Sequence, residues 1–178
     1  LLLLCFSLLP IVIFAQNPED ELLKAIKSND FAQVKELVES GADVNAADEN
    51  KATALMWATY KADLNVVKYL VELGVDYKRK GVIYFKTEDE QDAYYGNILS
   101  ITAGEGKLNI LRYFIEDLKI DINDREYNAE EDADTGWTAA QWAANNAHWK
   151  ILTYVEENGA DVKEIKASFT YLHQQVLQ

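Results

Sequence analysis

The stretch ESGADVNAAD (residues 39–48) returns as ELGVDYKRK at 72–80 and as ENGADVKEI at 157–165. Gly41 and Gly74 are 33 residues apart. A degraded copy, DLKIDIND, stands at 117–124. Upstream of each copy runs an amphipathic segment with apolar residues at helical spacing: VKELVES, VVKYLVE, ILRYFIE and ILTYVEE. Further upstream a second short helix opens with a cap-type residue: Asp20, Thr53, Asn97 and Thr138, with a last start at Thr170. One helix pair cannot bury its apolar face alone, whereas stacked pairs share a continuous core. The sequence therefore predicts an all-α solenoid of four helix pairs and a terminal half, with hairpin loops between pairs. Leu55, Leu70, Leu99, Leu111, Ala143 and Leu152 are the expected core. Lys24, Lys27, Gln33 and Glu36 make the first copy more polar, as a solvent-facing cap requires.

A helix–turn–helix–hairpin unit of this length resembles the ankyrin repeat. The matches are GADVN at 41–45, TALMWA at 53–58, TAAQWAA at 138–144, GAD at 159–161 and TYLH at 170–173. The resemblance covers residues 19–178. The family's Pro after the capping residue is Ala54, Ile98, Ala139 and Tyr171 here. Its His survives only at His173 and is Met56, Ser100 and Gln141 elsewhere, which removes the usual interrepeat His hydrogen bonds. The resemblance implies a binding module that uses a concave groove and finger loops.

The spacing between copies is not constant. Thr53 to Asn97 is 44 residues and Asn97 to Thr138 is 41. The excess falls in loops, within Asp76–Gly96 and within Asp121–Gly136. In the first, VIYF at 82–85 reads as a short strand lengthening a finger. The second, DINDREYNAEEDADTG, is acidic with a single Arg125. Glu130, Asp132 and Asp134 alternate as calcium ligands do, but Thr135 and Gln141 replace the Gly and Glu such a loop needs, so a solvated acidic finger is expected. Residues 126–134 are expected to be removable without unfolding the chain.

The 178 residues are 49% apolar, and acidic residues outnumber basic ones 30 to 17, for a net charge of −13. That balance repels phosphates and argues against nucleic acid or an anionic membrane surface as partner. One cysteine, Cys5, excludes an intrachain disulfide and a cysteine metal cluster. Residues 1–15, LLLLCFSLLPIVIFA, carry no charge and are followed by the polar QNPEDE. They read as a signal peptide truncated at its N-terminus, with Ile13 and Ala15 before the cleavage point and Gln16 as the mature end. The alternative is an uncleaved membrane anchor, which needs about 20 apolar residues. A lipid-anchored Cys5 is disfavoured by Leu4 where a small residue is wanted. The expected mature protein, 16–178, is secreted or periplasmic and monomeric.

Tyr69, Tyr113 and Tyr154 share one position in the second helices, and Trp57, Ile101 and Trp142 share one in the first, as packing ladders do. Trp137 precedes the capping Thr138, at the base of a finger. Tyr60, Lys61, Gly104, Glu105, Asn145 and Asn146 come late in first helices, where the family's groove lies. With Tyr94 and Tyr95 and the acidic Glu130, Glu131 and Asp132, these residues form the candidate recognition surface, with Trp137 as its anchor. His148 and His173 sit at structural turn and cap positions rather than beside a nucleophile. No Gly-rich phosphate loop is present, and no cofactor or catalytic activity is expected. The expected function is that of an exported protein–protein interaction module. The alternative, motivated by the charge, is an inhibitor or immunity-type protein that blocks a basic partner.

Overall fold

The computed structural model describes residues 17–79, 81–86, 92–128, 133–134, 136–163 and 165. The apolar segment 1–15, the 170–173 cap match and Glu130, Glu131 and Asp132 lie outside the described residues. Helix α1 (Pro18–Lys27) pairs with α2 (Phe31–Glu39), α3 (Ala54–Lys61) with α4 (Leu64–Glu72), and α7 (Ala139–Asn145) with α8 (Trp149–Glu157). In the third pair α5 (Ile98–Gly104) meets α6 (Leu108–Arg112), which continues as a π-turn over Tyr113–Asp117. The first helices α1, α3, α5 and α7 pack against one another along the stack, and the second helices touch less.

The caps follow the sequence closely. The side chains of Thr53, Asn97 and Thr138 accept from the amides of Met56, Ser100 and Gln141. Ser100 and Gln141 stand where the family has His, and each side chain accepts in turn from its cap's own amide, closing a capping box. The first helix starts two residues before the expected Asp20: Pro18 takes the first turn and Asn17 caps it by accepting from Glu19 N.

Leu55, Leu70, Leu99, Leu111 and Ala143 are buried, as expected. Leu152 is only partly buried.

The π-turn has an arithmetic origin. The left-handed residue that ends each second helix is Gly41, Gly74 and Gly159, ten positions after Phe31, Leu64 and Trp149. In the third copy it is Lys119 (φ 56°), eleven positions after Leu108. The π-turn absorbs the extra residue and brings the chain back into register. Asp76 and Asp161 then donate their amides to Asn45 and Asn123, tying each finger to an earlier one.

The first insertion forms a hairpin, β1 (Ile83–Lys86) against β2 (Asp92–Tyr95), antiparallel with Ile83 opposite Tyr95. The expected strand thus begins one residue later than read. In the second insertion Arg125 bridges to Thr138 and Asn128 to Ala133, a narrower finger.

Candidate recognition surface

Five rings run across the first-helix side from one copy to the next. Trp57 and Tyr60 of α3 stand 6.0 Å apart, and Tyr60 lies 6.0 Å from Tyr95 of the hairpin. Tyr95 lies 4.8 Å from Trp142 of α7, which lies 4.9 Å from Trp137. Edge-to-face and tilted contacts of this kind suit the ring quadrupoles. Trp57 and Tyr60 are half-buried, Tyr95 and Trp142 are buried, and Trp137 is 43% exposed. The row thus has supported inner members and an open end.

Acids beneath the rings hold it in place. The carboxylate of Glu126, 3% exposed, accepts from the Trp142 indole N–H at 2.7 Å, from Gly96 N at 2.7 Å and from Trp137 N at 3.3 Å. In the second pair Asp48 accepts from the Trp57 indole at 2.8 Å. The two acids are equivalent: each follows a residue bridged to the helix cap, Ala47 to Thr53 and Arg125 to Thr138. Burial pushes the Glu126 carboxyl above its ordinary range, and the hydrogen bonds it accepts pull it partly back.

Tyr95 was expected to meet a partner. It is 1% exposed and supports the row from beneath; its hydroxyl donates to Glu105 at 2.9 Å. Burial, and then the Glu105 charge, raise its hydroxyl well above the usual tyrosine range. Its ring covers Gly104, leaving no room for a side chain there, so Gly104 is part of the support rather than the lining. Glu105, Lys61 and Asn145 are exposed; Tyr94 is half-buried and meets the exposed Tyr84 edge-on at 6.0 Å. Asn146 is occupied: its amide donates to Gly104 O at 2.8 Å. His148 Nε2 reaches the same oxygen at 2.9 Å, and because a carbonyl only accepts, that nitrogen carries the proton.

Lys107 does the equivalent work one pair earlier. Its ammonium donates to Thr59 O, Tyr60 O and Ala62 O at 2.7, 2.7 and 3.1 Å, closing the end of α3. Burial lowers its proton affinity. On the outer helices Lys35, Lys68 and Arg112 stand over Tyr69, Tyr113 and Tyr154 at 5.8, 5.1 and 5.1 Å. The tyrosine ladder read from the sequence is therefore a cation–aromatic ladder, in which each copy's cation meets the next copy's ring.

A cleft of about 460 Å³ opens between the second and third fingers, where Lys78, Lys119 and Arg125 face Asp121, Asp124 and Asp134 among its lining residues. Burial, then the charges of Asp134 and Asp121, raise the Asp124 carboxyl. Among the described residues no cluster of His, Cys, Asp or Glu is arranged to hold a metal ion, and no helix is long and apolar enough to cross a membrane.

Residues 22–71 match a family model described as ankyrin repeats (many copies). The chain is 37% identical over 83 residues to a palmitoyltransferase AKR1 of Naumovozyma castellii, covering 42% of this chain and 11% of that protein. It is 41% identical over 62 residues to ankyrin repeat domain-containing protein 40 of Mus musculus, covering 34% of this chain and 17% of that protein. It is 36% identical over 55 residues to the 26S proteasome non-ATPase regulatory subunit 10 of Dictyostelium discoideum, covering 30% and 24%. The chain spans only about a tenth of the length of the first of these relatives. Residues 22–71 are ankyrin repeats, the helix pairs of the described residues stack as such repeats do, and repeats of this kind imply a protein–protein interaction module. Such repeats are in general not enzymes, and the palmitoyltransferase shares repeat sequence with it.

Proposed function

We propose that this protein is exported and docks a protein partner along the aromatic row of its first-helix side, with the fingers as the rim. The observation that carries the reading is the row itself. Its inner rings are locked by Glu126, Asp48 and Glu105, and its outer ring, Trp137, is left 43% exposed. A rigid aromatic with little side-chain entropy left to lose is what an interface anchor requires. Exposed Lys61, Glu105 and Asn145 supply polar contacts around it.

The charge of −13 favours a basic partner and a blocking role against it, because complementary charge speeds encounter. Association that is insensitive to salt between about 50 and 500 mM would remove this second reading and leave the first. Export rests on the uncharged apolar run before Gln16. Mass spectrometry of the mature protein should find its N-terminus at or near Gln16; the intact run on cytoplasmic protein would defeat export.

A further inference from the structure

Cations occupy the rings of this protein in a regular way. Lys27 lies 3.9 Å from the Trp57 ring centre and Lys61 lies 3.9 Å from that of Tyr60. On the outer helices Lys35, Lys68 and Arg112 serve the three tyrosines. Trp137 is the exposed end of the row, and no lysine or arginine among the described residues stands over it. Arg125, on the same finger, donates to Gly136 O at 3.1 Å. One acid is at the position: Glu126, itself 3% exposed, accepts the Trp137 amide.

We infer that the open face of Trp137 receives an arginine side chain of the protein partner. An indole is the best aromatic surface for a cation, and a planar, weakly hydrated guanidinium stacks on it better than an ammonium does. The net charge of −13 matches a cationic side chain on the partner, and the Trp57 end of the row already carries the chain's own lysines. A partner arginine completes at Trp137 what Lys27 and Lys61 complete at the other end. The inference rests on the docking surface proposed above and names the side chain that surface selects.

The test uses the ¹⁵N-labelled protein and a blocked hexapeptide of alternating arginine and glycine. Two control peptides carry citrulline or lysine in place of arginine. The indole N–H signals of the four tryptophans and the backbone amides report where each peptide binds. The arginine peptide should shift the Trp137 signal, the lysine peptide should bind more weakly, and the citrulline peptide should leave that signal unmoved. Trp137→Leu, which keeps every charge, should weaken the arginine peptide roughly two- to fivefold, and Trp137→Phe should fall between. An unmoved Trp57 signal in the free variants, with melting temperatures close to wild type, would confirm that the rest of the row is intact. Equal affinity of wild type and Trp137→Leu overturns the inference. Shifts confined to first-helix amides such as Lys61 and Asn145 overturn the arginine assignment but leave the docking surface standing. Shifts confined to the outer helices overturn both.

Discussion

The buried carboxylate of Glu126 accepts the indole N–H of Trp142 at 2.7 Å, and through that bond the second inserted finger is fixed to the first-helix face. Glu126→Gln places an amide N–H₂ where at least one of three donors now points. It should cost about 1–3 kcal/mol at neutral pH, the penalty of an unsatisfied buried donor. The pH dependence gives an independent check. Because burial raises the folded-state affinity of Glu126 for a proton, its contribution to stability is full below the ordinary carboxylate range and fades as pH rises through its raised value. The gap in melting temperature between wild type and Glu126→Gln should therefore widen on acidification from about pH 7 to about pH 5. A gap that narrows would contradict the assignment.

Lys107 joins two helix pairs through three carbonyls at the end of α3. Lys107→Met keeps most of the stem and removes the ammonium. The loss should be about 1–3 kcal/mol, or several degrees of melting temperature for a chain of this size. Thermal unfolding indistinguishable from wild type would show that water serves those carbonyls equally well.

The acidic finger and Trp137 should separate kinetically. Replacing Glu130, Glu131 and Asp132 by neutral amides should slow association with a basic partner and flatten its salt dependence, with little change in dissociation. Trp137→Ala should do the reverse, speeding dissociation at a cost of about 2 kcal/mol or more. The expectation that residues 126–134 can be deleted without unfolding the chain is not met, since Glu126 is 3% exposed and holds Gly96, Trp137 and Trp142. Charge neutralisation beyond Asn128 leaves that anchor in place.

Helix pairs, caps and the tyrosine ladder were legible in the sequence because repetition displays them three or four times. Thr53, Asn97 and Thr138 could be aligned, and their cap bonds follow from local chemistry. The π-turn was legible only as arithmetic, one residue too many before Lys119, and the chain gave no sign of where it would be absorbed. Glu126 was hidden for a different reason. It sits in a run of acids that reads as solvated, and only the bridge of Arg125 to Thr138 aligns it with Asp48. Lys107 and Tyr95 were hidden because their partners lie on other elements: the end of α3 for Lys107, and the rings of Tyr60 and Trp142 for Tyr95. Spacing along one chain does not report such contacts.

The central claim is that a protein partner docks on the first-helix side. Site-specific photocrosslinking measures this most directly. A photoreactive residue placed at Lys61 or Asn145, both exposed on that side, should form adducts with the partner. The same residue at Asn65 or Asn109, exposed on the second helices, should not. Adducts from Asn65 and Asn109 with none from Lys61 or Asn145 would contradict the account.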